Sequence, residues 1–212
     1  IELLNIDCME YMKTLPDKAF DLAIVDPPYG IGESGGDKKR NRGSNRIVIH
    51  EKKNWDSIPP TKEYYEELCR VSGNQIMFGA NYYIDILKPS MGWIYWDKNI
   101  GGDFSDGELA YTSFQRALRA VQITYTDGTH GGHWRIHPTQ KPVKLYKWLL
   151  SNYAKPEMKI LDTHLGSGSS AIAAHYFGCD FVGCEIDTDY YQAAVARFGR
   201  ETAQIDMFGG GL

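Results

Sequence analysis

The sequence predicts an α/β fold with a mostly parallel, twisted sheet and helices on both of its faces. Short apolar runs bounded by turn residues recur along the chain, and helical patterns fall between several of them. The 212 residues, 42% of them hydrophobic, suffice to bury one sizeable core, so a single domain over 1–212 with insertions is expected.

In chain order, Ile1–Ile6 and Leu22–Val25 read as strands, Lys62–Val71 as a helix, and Gln75–Phe78 and Trp93–Trp96 as further strands. Pro142–Tyr153 is the next helical pattern, with Pro142 in its first turn, where a missing N–H costs nothing. Lys159–Leu161 and Phe181–Cys184 read as strands on either side of a helix over Ser169–Phe177, which Gly178 stops; a last helix covers Asp189–Arg200. Two stretches break this rhythm. Residues 31–57 form a polar, basic insertion loop, and residues 101–135 mix Gly, Asp, His and aromatics. Long irregular segments in a compact domain are usually functional or disordered. The tail, 204–212, is expected to be flexible.

The bulk properties narrow the function. No run of eighteen apolar residues occurs, and Asp7 and Glu10 interrupt the first stretch, so neither a membrane span nor a signal peptide is supported and a cytoplasmic location is expected. Cys8, Cys69, Cys179 and Cys184 lack CxxC spacing, and His130, His133 and His137 are spaced loosely for zinc; neither a disulfide framework nor a metal is expected. The net charge of −4 alone argues against a polyanionic partner. Its distribution argues the other way: Lys38, Lys39, Arg40, Arg42, Arg46, Lys52 and Lys53 stand against Asp37 and Glu51, a local +5.

The stretch KILDTHLGSGSSAIAAHYFGCDFVGCEID reads as strand, glycine turn, helix, strand and acidic end. Gly166 and Gly168 let the turn run tightly beneath a ligand and open the helix at Ser169, where backbone N–H groups are free to meet polar atoms. Glu185 follows Gly166 by 19 residues, close to the spacing of a carboxylate that takes ribose hydroxyls. This is a site for a nucleoside-containing cofactor. Ala171 in the third glycine place still allows a dinucleotide, whereas Asp162, four residues before Gly166, resembles the D-x-x-x-G-x-G signature of S-adenosylmethionine methyltransferases.

The second motif is LAIVDPPYG. Exocyclic amino nitrogens of bases are poor nucleophiles, so an enzyme must hold their hydrogens with acceptors and align the nitrogen with the methyl donor. Asp26 supplies a carboxylate at the end of an apolar strand, and Pro27 and Pro28, without N–H groups, end the ladder and turn the Pro27 carbonyl outward as a second acceptor. Tyr29 offers a flat face for a base swung out of the duplex.

With these motifs in place the sequence resembles the DNA amino-methyltransferases that make N6-methyladenine or N4-methylcytosine, in particular the permuted, phage-type class whose catalytic motif precedes its cofactor motif. The resemblance extends to NIDCMEYMK before the catalytic motif, to DGELAYTSF at Asp106–Phe114 and to HPTQKPVKLYKWLL at His137–Leu150. It implies a Rossmann-like methyltransferase fold and S-adenosylmethionine as cofactor. By the same resemblance Asp7 lies at the cofactor's adenine with Cys8 as a pocket-wall residue beside it, Thr139, Gln140, Lys141 and Asp162 lie at its methionine end with Gly166, Ser167 and Gly168, Glu185 takes its ribose, and Leu165 and Ile186 complete the cofactor-binding residues. Asp26, Pro27, Pro28 and Tyr29 are the catalytic residues, and Asp26, where the cytosine enzymes more often carry Ser, favours adenine N6. N4-cytosine methylation and a catalytically silent DNA-binding subunit are the alternatives; a nicotinamide dehydrogenase has no use for DPPY.

Double-stranded DNA is the expected partner, with Lys38, Lys39, Arg40, Arg42, Arg46, Lys52 and Lys53 on phosphates and 115–135 as the target-reading segment. The brevity of that segment suggests a short target or a homodimer. Gln204-Ile205-Asp206-Met207-Phe208 is similar to the short peptide that docks on bacterial sliding clamps, and a hydrophobic turn folded back on the core explains it equally well.

Overall fold

A computed structural model describes residues 1–32, 53–100, 105–125 and 136–203. Eight strands, β1 (Glu2–Leu4), β2 (Phe20–Val25), β3 (Ser72–Phe78), β4 (Trp93–Asp97), β5 (Gly107–Thr112), β6 (Arg119–Gln122), β7 (Lys159–Asp162) and β8 (Asp180–Cys184), form one sheet in the order β1-β8-β7-β2-β3-β5-β4-β6. Among the described residues five neighbouring pairs are parallel, and β5 runs antiparallel to both β3 and β4. The helices are α1 (Cys8–Lys13), α2 (Lys62–Val71), α3 (Val143–Tyr153), α4 (Ser169–Phe177) and α5 (Thr188–Ala203).

Side chains alternate across a strand, and β2 uses both faces. Leu22 and Ile24 pack with Leu145, Leu149, Ala171 and Ala174 of α3 and α4. Ala23 and Val25 pack with Met12 of α1 and with Tyr64, Leu68 and Val71 of α2. A strand buried on both sides reads as the continuous apolar run LAIV, and helices cover both faces as expected. The spacing of Tyr64, Leu68 and Val71 gives α2 one buried stripe, and the Thr61 side chain caps it by accepting from the Tyr64 amide at 3.2 Å.

The connectivity creates the site. β2 and β7 are parallel neighbours, with Leu22 opposite Ile160. From β7 the chain passes through α4 to β8 on one side; from β2 it passes through α2 to β3 on the other. Between two strands whose connections diverge in this way, the carboxyl ends leave a crevice for a ligand. Asp162 ends β7 and Asp26 follows β2, so both motifs open on that crevice.

The structure amends several expectations. Helix α1 is an addition to the expected elements, although its signal is present: Asp7 is the N-cap, accepting from the Met9 and Glu10 amides at 2.7 and 3.3 Å, and Glu10 stands three residues on. Pro142 caps α3 from outside with extended backbone. The stretch 101–135, expected to be irregular, contains β5 and β6. Of the basic insertion, 33–52 lie outside the described residues, including Lys38, Lys39, Arg40, Arg42, Arg46 and Lys52. The same is true of 126–135 in the target-reading segment and of the tail with Gln204–Phe208. Among the described residues no helix is long and apolar enough to cross a membrane.

Candidate active site

The loop after β2 is held from outside by a carboxylate. Asp56, 3% exposed, accepts from the amides of Tyr29 at 2.6 Å and Gly30 at 3.0 Å, which fixes the backbone just past the two prolines. Gly79, in the left-handed region at φ +67°, lets the Tyr29 ring lie against the chain: a Cβ there would run into the ring. The hydroxyl of Tyr29 donates to Asp26 Oδ1 at 2.6 Å. The Tyr82 ring, half exposed, stacks on Tyr29 with centroids 5.3 Å apart and planes 14° from parallel.

Asp26 belongs to a half-buried set of charges centred on the buried Lys141. Lys141 Nζ lies 2.5 Å from Asp26 Oδ2 and 3.1 Å from Glu108 Oε2, and Lys98 holds the other oxygen of Glu108 at 2.8 Å. Burial pushes the Asp26 carboxyl up and Glu108 adds to this, while Lys141 and Tyr29 oppose it. Burial would raise Glu108 too, but its two lysines outweigh it and hold the carboxyl at about 2. Burial pulls Lys141 down, and Asp26 with Glu108 more than restore it. The Tyr29 phenol, raised by burial and by Asp26, stays a donor.

On the cofactor side Asp162 is 1% exposed and accepts from Ser170 Oγ at 2.6 Å and the His164 amide at 3.0 Å, both neutral donors. Burial drives its carboxyl up to about 7, and it drives the neighbouring His164 imidazole down to about 4. Gly166 and Gly168 take φ +52° and +74°, as the tight turn requires. Glu185 receives the Gly166 amide at 2.8 Å and the Asp187 amide at 3.0 Å on its two oxygens. Asp7 and Cys8 lie just past β1, after Ile6, whose amide donates to the Glu185 carbonyl at 3.1 Å; burial raises the Cys8 thiol to about 12. Leu165 and Ser167 are buried and Ile186 is exposed.

The segment His137–Lys141 links the two sides. The His137 ring lies 4.4 Å from Tyr190 and 5.1 Å from Trp55, above Gly166, and its Nδ1 is 3.1 Å from Thr139 Oγ1. Gln140 accepts from the Ile136 amide at 3.1 Å. Lys141, expected at the methionine end, reaches Asp26. Lys53, expected on phosphate, is held by Asp187 at 2.6 Å and Asp189 at 2.9 Å.

The site thus joins Asp26, Tyr29 and Lys141 and sets Asp162 and Glu185 beside them. Sequence reasoning missed Glu108, Lys98, Asp56, Gly79 and Tyr82. Glu108 left one trace, a lone carboxylate entering the apolar run LAY. Among the described residues no group of three or more His, Cys, Asp or Glu is arranged to hold a metal.

Known proteins resemble this chain over most of its length. Residues 37–196, 160 of the 212, match the N6/N4-type DNA methylase family profile. The chain is 25% identical over 204 residues to YubD of Escherichia coli (strain K12), provisionally named a methylase, covering 90% of this chain and 87% of that one. It is 24% identical over 248 residues to the type II methyltransferase M.HpaI of Haemophilus parainfluenzae, covering 96% and 76%. Its fold matches the crystal structure of the M1.HpyAVI–SAM complex at 19% identity and a TM-score of 0.60, over 92% of this chain and 98% of that one. The cytosine-N4-specific PvuII DNA methyltransferase matches at 12% identity and 0.61, over 96% and 90%.

Proposed function

The chain belongs to the DNA methylase family of the N6-adenine/N4-cytosine type, and on that premise we propose that it methylates adenine N6 in double-stranded DNA with S-adenosylmethionine as donor. One observation carries the reading: a half-buried, hydrogen-bonded carboxylate, Asp26, stands at the crevice where β2 and β7 diverge, beside the acidic end of the glycine-turn unit. When bound, S-adenosylmethionine supplies an electrophilic methyl group on a sulfonium that departs as a neutral thioether.

The residues present suit that cofactor. Asp162 is a buried acid raised by burial, with neutral donors as its hydrogen-bond partners, and an ammonium group at its side would offset that desolvation. Glu185, whose two oxygens accept the Gly166 and Asp187 amides, has lone pairs left that would take the ribose hydroxyls. Asp7, Cys8 and Ile186 would border the adenine, and Leu165, Gly166, Ser167, Gly168, Thr139 and Gln140 would line the remainder.

Asp26 accepts a hydrogen of the target amino group and the Pro27 carbonyl the other, leaving the nitrogen lone pair directed at the methyl carbon. The N–C bond forms as the C–S bond breaks. The nitrogen carries the positive charge and loses one proton to the Asp26 carboxylate, which passes it to water. Tyr29 stacks on the base, and before the base enters its hydroxyl holds Asp26 in place. No enzyme nucleophile is needed, and the Cys8 thiol, at about 12, is protonated at neutral pH.

Adenine is favoured over cytosine by the aspartate at position 26. The test is to incubate DNA with the protein and labelled cofactor, digest it and separate the nucleosides. Label in N6-methyldeoxyadenosine is the expected result. Label in N4-methyldeoxycytidine would reassign the base, and label in no nucleoside would refute the reading.

A further inference from the structure

The proposed reaction requires Asp26 to accept from a target amino group, yet both of its oxygens already have donors. Oδ1 takes the Tyr29 hydroxyl at 2.6 Å and Oδ2 takes Lys141 at 2.5 Å. Both donors have the same second acceptor within reach: Glu108 Oε2 is 3.1 Å from Lys141 Nζ and 3.2 Å from the Tyr29 hydroxyl. Lys141 is 4% exposed, so an ammonium leaving Asp26 without another anion would pay the desolvation of an unpaired buried charge. With Glu108 beside it, one ionic hydrogen bond is exchanged for another.

We propose that Lys141 holds the target amino group's place on Asp26 in the resting site, and that Glu108 is the positioning residue that takes over Lys141 and the Tyr29 hydroxyl when the base enters. The proposal rests on the role given to Asp26 above and adds a residue on a different strand. The charges favour it. Asp26, Glu108, Lys141 and Lys98 sum to zero, so the exchange moves an ammonium a short distance without moving net charge into or out of the core. Lys98 fixes the far oxygen of Glu108 and leaves Oε2 to the two incoming donors.

Among the described residues the titratable groups around Asp26 are Tyr29 on its own loop, Lys141 before α3, Tyr146 on α3, Glu108 on β5 with Lys98 behind it, Tyr83 after the short turn Ala80–Tyr82, and Asp162 on β7. Removing Glu108 takes a like charge from beside Asp26 and removing Lys141 takes its counter-ion, so the two changes move its titration in opposite directions.

The test uses the full chain with Glu108→Gln, Lys141→Met and both, measuring kcat, cofactor Kd and the pH–rate profile on DNA. Glu108→Gln should lower kcat at least tenfold with cofactor Kd unchanged, and should shift the acidic limb to lower pH. Lys141→Met should shift that limb to higher pH. In the Lys141→Met background the kcat penalty of Glu108→Gln should shrink at least threefold, because Glu108 acts largely through Lys141. If Lys141→Met does not fold, Glu108→Gln decides alone through kcat and its pH limb. A Glu108→Gln enzyme with wild-type kcat and profile, or a penalty undiminished in the double variant, would overturn this proposal while leaving methylation intact. A wild-type chain that transfers no methyl group to DNA would overturn the role of Asp26 and this proposal with it.

Discussion

Asp162→Asn should make the ligand-free protein more stable at alkaline pH, by an amount the structure sets. The Asp162 carboxyl is raised by burial from 3.8 to about 7, so the folded chain binds its proton more tightly than the unfolded chain does between those values. A raised acid leaves stability full below the unfolded value and lost as pH rises through the folded one. At about 1.4 kcal/mol per pH unit, the ionised form costs on the order of 4 kcal/mol. His164 works in the opposite direction: burial lowers it from 6.5 to about 4, so it costs stability as pH falls through that window. The wild-type curve therefore mixes the two, and the difference between variant and wild type isolates Asp162. Asparagine keeps the shape and an acceptor for the His164 amide. Urea unfolding at pH 4, 6 and 8, without cofactor, should show near-equal stabilities at pH 4 and a variant more stable by a few kcal/mol at pH 8. The same substitution should weaken S-adenosylmethionine binding at least tenfold, a trade of function against stability. A variant less stable than wild type at pH 8, or a difference that does not change with pH, would refute the reasoning.

Two further outcomes follow from the geometry. Gly79→Ala, strained at φ +67° and driven into the Tyr29 ring, should cost roughly 2–4 kcal/mol of stability in denaturant unfolding and depress methyl transfer more than cofactor binding. Neutralising Lys38, Lys39 and Arg40 together should weaken DNA binding and flatten its dependence on salt, by up to ~0.9 in the log–log slope for each phosphate that is no longer neutralised, whereas Lys53→Met, whose ammonium sits on Asp187 and Asp189, should leave that slope unchanged; binding titrations over a salt series distinguish them.

The parallel half of the fold was legible because its signals are local. A doubly buried strand shows as LAIV, a strand-to-helix turn shows as GSGSS, and Gly178 shows as a stop. Strand β6 and much of β5 were not, because β6 exposes most of its four residues and β5 sits in a glycine- and aspartate-bearing stretch without clean alternation. Helix α1 is too short for periodicity, and only the pairing of Asp7 with Glu10 betrays it. In the site, a tetrapeptide such as DPPY is visible as a pattern, while residues that meet it only through tertiary contact are not. Glu108 and Asp56 reach Tyr29 from 79 and 27 residues away along the chain, a distance that no pattern of spacing encodes. The motif that carries Lys141 is visible in the sequence, whereas the direction its side chain takes depends on the carboxylates of Asp26 and Glu108, which it meets only in the fold.

The central claim is that the Asp26 carboxylate is the acceptor that orients the target amino group. Single-turnover transfer of labelled methyl to DNA, measured for wild type and Asp26→Ala alongside cofactor binding, tests it most directly. The account predicts that both proteins bind S-adenosylmethionine with similar affinity and that transfer by the variant falls by about 10²–10³ or more, the scale of losing one such preorganised hydrogen-bonding group. Transfer by Asp26→Ala within a few-fold of wild type would contradict it.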